Sequence, residues 1–227
     1  MTVRHGGPVR IATWNVRGLR DDARLLTELL LDERPDVLCV QEAPLGWGSG
    51  ARLRRWADRC GLRVAARAAN RETALLLSPR VEVVAAGDLD LPFTAGRPPR
   101  AAAWAEVALG NSRALVVSVH LGLDASERLA QAGVVRAWIA QGSGSPLVVA
   151  GDLNERLTEP AGRVLAEGLR DVGEADDAPT FPARQPRRRI DAVLVDPRLR
   201  VVACRTITGY ARATDHCPVI VDLEPAG

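Results

Sequence analysis

The segment Leu147–Asn154 reads Leu-Val-Val-Ala-Gly-Asp-Leu-Asn, and it contains the main signals that decide the fold. Its first four residues form a continuous apolar run, which is typical of a strand that is buried on both faces. Asp152 and Asn154 follow at a spacing of two, so on an extended chain they face the same side. Gly151 allows another backbone to approach closely. The segment therefore predicts a buried strand with polar side chains at its carboxyl end.

Polar residues at the ends of apolar strands recur along the chain: most follow a strand, whereas Asp191 begins one and Asp215 and His216 precede one. Each such residue alone is compatible with a structural role, for example in a turn or as a satisfied core histidine. Polar groups at the rims of strands that share a core gather in one place, so together they favour a single site. The residues are Asn15, Glu42, His120, Asp152, Asn154, Asp191, Asp215 and His216.

The donor atoms of this set indicate the kind of metal that it would bind. Glu42, Asp152 and Asp215 offer hard carboxylate oxygens, and Asn15 and Asn154 offer amide oxygens. Oxygen donors of this kind suit Mg²⁺, with Mn²⁺ as the alternative, better than zinc. Clustered carboxylates raise one another's pKa, and a bound cation removes that conflict. We therefore expect a divalent cation at this site.

Length and composition bound the class of protein. The chain has 227 residues, of which 47% are hydrophobic and 26% are charged, as in globular proteins. We predict an N-terminal tail over residues 1–8 and one domain over residues 9–223. A formal net charge of +2 does not by itself indicate a polyanionic partner. No apolar stretch reaches the ~18 residues of a membrane span. We expect a cytoplasmic monomer without stable membrane association.

Two features of the composition exclude whole classes of chemistry. All 30 basic residues are arginine, so Schiff-base catalysis and a lysine-dependent P-loop are excluded. The four cysteines are far apart and form no Cys-x-x-Cys pair, which argues against a zinc site or a disulfide framework.

The periodicity of the chain predicts a mixed α/β fold that is rich in short strands. A helix is expected between a cap at Asp21 or Asp22 and Pro35, and a second over Arg52–Cys60. The longest predicted helix is Ser126–Gln141, whose apolar residues Leu129, Ala132, Val135 and Ile139 recur at helical spacing. A short helix beginning near Pro160 completes the set.

Six short motifs carry a family resemblance, which covers residues 9 to 223. In this order and spacing they resemble the endonuclease/exonuclease/phosphatase superfamily, the fold of pancreatic deoxyribonuclease and of exonuclease III-type enzymes. One motif alone is a weak signal, whereas all six in order are a strong one. The motifs are Thr13-Trp14-Asn15, Gln41-Glu42, Ser118-Val119-His120-Leu121, Gly151-Asp152-Leu153-Asn154, Arg189-Ile190-Asp191 and Thr214-Asp215-His216-Cys217-Pro218.

The resemblance implies a four-layer α/β/β/α sandwich, in which two mostly antiparallel sheets pack face to face with helices outside. It also implies that Glu42 is the principal metal ligand, with Asn15 and Asp215 nearby. Asp152 would orient or deprotonate the attacking water, and Asn154 would orient water and phosphate.

The resemblance further implies roles for the two histidines. His216 would bind the scissile phosphate, with Asp191 as its carboxylate partner. His120 resembles a second histidine of the deoxyribonuclease branch, which protonates or stabilises the leaving oxygen. Its partner there is a glutamate on an earlier strand, and Glu72 is the candidate for that partner in this chain.

These expectations define a Mg²⁺-dependent phosphoester hydrolase that uses a water nucleophile, with monoester and diester substrates both open. A DNA endonuclease acting on the duplex backbone and a catalytically silent binding module are the alternatives. A lipid phosphodiesterase would need an exposed apolar loop, for which only Leu45–Trp47 qualifies. Arg188 and Arg189 stand beside Asp191 and are expected to bind substrate phosphate, whereas Arg184 and Arg187 are interpreted as a solvated loop.

Overall fold

Two six-stranded sheets form the centre of the protein in a computed structural model that describes residues 7–68, 72–109, 112–142 and 144–225. The first sheet has the order β11-β12-β1-β2-β4-β3 and the second β5-β6-β7-β8-β10-β9. The strands of the first sheet are β1 Val9–Asn15, β2 Val37–Gln41, β3 Arg63–Arg67, β4 Ala74–Leu77, β11 Leu199–Thr206 and β12 Val219–Pro225. Those of the second are β5 Glu82–Asp90, β6 Ala101–Leu109, β7 Ser112–His120, β8 Leu147–Asp152, β9 Arg170–Asp171 and β10 Asp191–Val195.

Four α-helices of the described residues cover the outer faces of the sheets. The Asp22 side chain caps the first helix by accepting from the backbone of Arg24 and Leu25, and Asp124 caps the third in the same way. The helices are α1 Ala23–Glu33, α2 Ser49–Arg59, α3 Ala125–Ala140 and α4 Pro160–Ala166. None of them is long and apolar enough to cross a membrane.

Three apolar clusters separate the four layers. In β2, Val37 and Cys39 face the second sheet, while Leu38 and Val40 face α1 and α2. In β8, Val148 faces the first sheet, and Leu147 and Val149 face the cluster that contains residues of α3 and α4. Strands with both faces buried need continuous apolar runs, which is what the sequence contains. The predicted α/β/β/α sandwich is confirmed.

The central strands of each sheet run parallel, and this brings the polar residues to one rim. Asn15 at the end of β1 is paired with Gln41 at the end of β2. In the second sheet, His120 of β7 is paired with Asp152 of β8, and Asp191 opposes Asp152 from the antiparallel β10. Alternation along each strand points these side chains into the gap between the sheets. The candidate site therefore lies at the open edge of the inter-sheet core.

A buried amide connects the two sheets just below this rim. Thr13 donates its hydroxyl to Oε1 of Gln41 at 3.2 Å, and Nε2 of Gln41 donates to Oγ of Ser118 at 3.1 Å. The three residues belong to β1, β2 and β7, and all are fully buried. Because a buried amide needs its partners, this chain of hydrogen bonds fixes how the sheets stack.

Some elements differ from the sequence-based expectations. The second helix begins at Ser49 rather than Arg52. In α3, Ala132 and Val135 are buried as predicted, but Leu129 is 43% exposed. Towards its start the helix also buries Glu127 and other polar residues that bind the loops at the rim, so this part of its inner face is polar where apolar periodicity was expected. Residues 1–6 of the predicted tail lie outside the described residues, and the single domain over residues 9–223 stays a prediction.

Candidate active site

The carboxylate of Asp152 lies at the centre of the site. Its Oδ2 accepts a 3.0 Å hydrogen bond from Nδ2 of Asn15, across the gap between the sheets. The same Oδ2 lies 3.6 Å from Nε2 of His120 and 3.6 Å from Nε2 of His216. Asp152 is 1% exposed. Residues from β1, β7, β8 and the segment before β12 thus meet at one oxygen atom.

Gly151 is required for this arrangement because β7 passes very close to it. A Cβ atom on Gly151 would lie 1.9 Å from the carbonyl oxygen of Val119. No side chain fits at that distance, so the position before Asp152 must be glycine. The close approach that the sequence predicted for Gly151 is therefore present.

His216 is held by the carboxylate of Asp191. Its Nδ1 lies 2.9 Å and 3.1 Å from the two oxygens of Asp191. Burial opposes the charged form of the ring, but Asp191 and the neighbouring carboxylates outweigh it and raise the pKa of His216 to about 10. The ring of Phe181 packs against the imidazole at a centroid distance of 4.8 Å. His216 is therefore a buried imidazolium, as the pairing with Asp191 implies.

His120 has the opposite charge state. Arg100 lies with Nη1 3.1 Å from Nδ1 of His120, and an arginine can only donate, so Nδ1 accepts and Nε2 carries the proton. Burial, followed by the charge of Arg100, lowers the pKa of His120 to about 3 despite the opposing effect of Asp152. The ring is therefore neutral.

Glu72 lies close to His120, in the bend before β4, and Arg100 contacts both residues. Its Oε2 is 3.5 Å from Nδ1 of His120 and forms a close ion pair with Arg100. The Arg100 side chain is 8% exposed. Glu72 thus positions Arg100, which in turn positions His120.

Asn154 lies one residue beyond Leu153 in a left-handed conformation with φ of 54°. Its backbone N–H donates to Oδ1 of Asp152 at 2.9 Å, and its Nδ2 donates to the carbonyl of Leu121 at 2.8 Å. These bonds fix the side chain beside Asp152. Asparagine tolerates this backbone conformation better than most residues.

Of the predicted metal ligands, Glu42 is connected to Asp152 through Asn15. Oε1 of Glu42 accepts from Nδ2 of Asn15 at 3.0 Å, and Glu42 and Glu72 line the same small recess. Burial raises the pKa of Glu42; Asn15 lowers it, and Glu72 and Asp215 raise it further. Glu42 also has a positive φ of 50°, an uncommon conformation for a non-glycine residue. A carboxylate placed in this way is stabilised by a cation.

The donor set fits a hard cation, with one difference from expectation. Nδ2 of Asn15, rather than its oxygen, faces Glu42 and Asp152, and the oxygen accepts from the backbone of Arg17. Asn15 therefore acts here as a bridge between carboxylates. Asp215 remains 39% exposed, with Nε of Arg17 at 3.6 Å.

A second group of the described residues also has metal-binding geometry. Asp152, Asp191 and His216 offer ligand atoms within 4.8 Å of one another. His216 uses Nδ1 for Asp191, and the raised pKa of its ring favours the imidazolium form, which cannot ligate a metal. We interpret this group as a proton-holding triad and Glu42 with Asp215 as the better cation ligands.

The two arginines expected to bind phosphate are in different environments. Arg188 is exposed, with Nη2 3.5 Å from the carbonyl of Asn154. Arg189 is engaged by Asp171 through two parallel contacts, one of 2.8 Å and one closer, and its side chain is 11% exposed. The guanidinium of Arg189 is thus occupied by a carboxylate of β9, while Arg188 is free to face solvent beside the site.

Comparison with known proteins gives a consistent result. The sequence model of the Endonuclease/Exonuclease/phosphatase family matches residues 12–216, and a search of curated proteins finds no match. A conserved protein of unknown function from Enterococcus faecalis V583 superimposes with a TM-score of 0.81 and 18% identity, covering 96% of this chain and 100% of that one.

Two further solved structures share the fold. One is a mannosyl-6-phosphatase from Bacteroides thetaiotaomicron VPI-5482, with a TM-score of 0.79 and 17% identity over 95% of this chain and 99% of the other. The second is TDP2 from D. rerio complexed with single strand DNA product, with a TM-score of 0.79 and 22% identity over 95% and 98% of the two chains.

Proposed function

Because the chain belongs to the endonuclease/exonuclease/phosphatase family, we propose that it hydrolyses phosphoesters with a water nucleophile and a divalent cation, Mg²⁺ or Mn²⁺. Members of this family generally hydrolyse phosphoesters. The observation that carries the proposal is the surroundings of Asp152, where one oxygen faces the Nε2 atoms of both His120 and His216 at 3.6 Å.

Those distances leave both ring N–H groups available to a substrate. A separation of 3.6 Å is too long for a hydrogen bond, and each histidine already uses Nδ1 for another partner. Two N–H donors and one carboxylate therefore face the same small volume. A phosphate oxygen can accept from the two rings while Asp152 accepts from a water molecule.

The histidines have different parts in the reaction. His216 brings a positive charge that offsets the charge on the phosphate, and it is the one of the two rings that holds a transferable proton. His120 is neutral, so it contributes a hydrogen bond from Nε2. Asp152 orients the water and accepts its proton as the water oxygen attacks phosphorus and the bond to the leaving oxygen breaks. Asn154 and Arg188 hold the phosphate and the water in line.

Glu42 and Asp215 would hold the cation. When bound, it acts as a Lewis acid that withdraws charge from the phosphoryl oxygens. Asn15 holds Glu42 and Asp152 next to each other by donating to both carboxylates, so the cation ligand and the base keep a constant separation.

The test is a parallel assay of plasmid DNA, a single-stranded oligonucleotide, bis-(p-nitrophenyl) phosphate and p-nitrophenyl phosphate. Each is incubated with Mg²⁺, Mn²⁺ or EDTA, and the His216→Ala variant provides the blank. We expect metal-dependent hydrolysis of at least one substrate and none in EDTA. Turnover no greater than that of the blank on all four would refute the proposal and favour a silent binding module.

A further inference from the structure

A cleft lined by arginines opens beside the candidate active site, with a volume of about 470 Å³. Asp215, the residue before His216, is part of its wall. The arginines come from three separate segments, the turn after β1, the loop before β10 and the turn before β12. The charged residues of the lining are Arg17, Asp21, Arg184, Arg187, Arg212 and Asp215.

The loop that contributes two of these arginines is tied to the catalytic segment. The N–H of Ala183 donates to the carbonyl of Asp215 at 2.7 Å, and the N–H of Cys217 donates to the carbonyl of Thr180 at 2.7 Å. The N–H of Arg187 closes the loop on the carbonyl of Phe181 at 2.9 Å. The backbone that carries Arg184 and Arg187 is therefore held at a fixed place relative to His216, while both side chains are exposed to solvent, as the sequence predicted.

The cleft has an excess of positive charge that the chain does not neutralise. Arg17 contacts Asp21 and Asp215, and Arg212 contacts Asp22. Within the described residues, by contrast, no ion pair engages Arg184 or Arg187, and both are exposed. Two exposed guanidinium groups without a carboxylate partner, on a loop whose backbone is tied to the segment of His216, are suited to bind further phosphate groups.

We propose that the cleft binds the backbone phosphates of a polynucleotide strand next to the phosphate that is cleaved; this inference rests on the proposed function and names its substrate class. A sugar monophosphate has one phosphate, which the site at Asp152 would occupy, and it would leave these arginines unused. The described lining residues include no aromatic ring, so recognition depends on phosphate rather than on base stacking.

The test measures binding without hydrolysis. A short fluorescein-labelled oligothymidylate is titrated in EDTA against the wild type, Arg184→Ala/Arg187→Ala and the control Arg55→Ala/Arg59→Ala. The control removes the same charge from the exposed side of α2. We expect the cleft variant to bind at least about tenfold more weakly than the control. For the cleft variant, the plot of the logarithm of the association constant against the logarithm of the salt concentration should be less steep by about 1.4. Each contact to a single-stranded phosphate contributes about 0.7 to that slope, and the variant loses two contacts.

Several outcomes would overturn the inference. Equal affinity of the two double variants would do so, as would the absence of oligonucleotide binding by the wild type. A nucleoside triphosphate that binds in the cleft when the oligonucleotide does not would point to a small polyphosphate instead. Hydrolysis of bis-(p-nitrophenyl) phosphate by the wild type is measured separately. If neither that ester nor any of the other three test substrates is hydrolysed while the cleft variant loses oligonucleotide binding, the proposed function is refuted and the phosphate-binding cleft stands.

Discussion

His120 and His216 each have Nε2 at 3.6 Å from the same oxygen of Asp152, yet the first ring is neutral and the second is protonated. The Nδ1 atom of His120 meets a guanidinium, and that of His216 meets a carboxylate. The partner of the far nitrogen thus decides whether each ring is neutral or charged. A substrate between the two rings receives one charged and one uncharged hydrogen bond.

We predict that NMR titration of the ring protons in EDTA will separate the two histidines. The His216 ring should stay protonated until the pH approaches about 10, and the His120 ring should stay neutral until it approaches about 3. Since the folded pKa of His216 lies above the ordinary 6.5, its stabilising effect is complete below pH 6.5 and is lost as the pH rises towards 10. Asp191→Asn should lower the pKa of the His216 ring. An unchanged pKa in this variant would contradict the role given to Asp191.

Glu72→Gln should impair turnover through Arg100 rather than directly. Without the carboxylate, Arg100 loses its ion pair and no longer holds His120 in one tautomer. We expect kcat/KM on bis-(p-nitrophenyl) phosphate to fall by about tenfold or more. In a double-mutant cycle, Glu72→Gln should cost little further once His120→Ala is present. Additive losses would show that Glu72 acts independently of His120.

Glu42→Gln should weaken cation binding, since it removes the charge of a half-buried ligand but keeps its shape. Titration calorimetry with Mn²⁺ should give an affinity at least about tenfold lower than that of the wild type. The control is Glu82→Gln, which makes the same change on the exposed edge strand β5. An equal effect of both substitutions would remove Glu42 from the ligand set.

Arg188→Ala and Arg189→Ala should have different consequences. Arg189 forms a nearly buried double contact with Asp171, so its loss should lower the free energy of unfolding by about 3 kcal/mol. Arg188 is exposed, and its loss should raise KM with little change in stability. Thermal unfolding and steady-state kinetics of both variants measure the difference. If the Arg189→Ala protein were as stable as the wild type but had a raised KM, Arg189 would bind substrate phosphate, as first expected.

Gly151→Ala should be strongly destabilising because its Cβ would collide with the backbone of β7. We expect a loss of about 3 kcal/mol or more in urea unfolding. Gly133→Ala is the matched control: Gly133 lies in α3 with open space around its Cβ position, and this change should stabilise by roughly 0.5–1 kcal/mol. Equal stability of the two variants would mean that β7 and β8 can move apart at no cost.

The site residues that could be predicted from the sequence are those at the carboxyl end of a buried strand. Asp152, Asn15 and His120 meet because parallel neighbours end at one rim, and alternation along each strand already indicates that their side chains face the inter-sheet gap. Family motifs supplied the pairing of His216 with Asp191. In these cases local pattern and tertiary structure agree.

What could not be predicted depends on contacts between distant segments. Arg100 precedes β6, and only the antiparallel pairing of β6 with β7 brings it to His120. Asp171 lies in the two-residue strand β9, too short to leave a periodic signal, so the partner of Arg189 was not visible. Leu129 has helical spacing with buried residues, but the inner side of α3 binds polar loops.

The hydrogen bond between Asn15 and Asp152 joins one sheet to the other, and so does the bond between Gln41 and Ser118. Sliding one sheet over the other by a single residue, about 3.4 Å, would break both at once. Such a shift would leave much apolar surface buried while separating the groups that act on the substrate. The two hydrogen bonds and the active-site geometry therefore depend on the same alignment of the sheets. A chain whose sheets packed out of alignment would be compact but inactive, so enzymatic activity is a test of correct sheet packing.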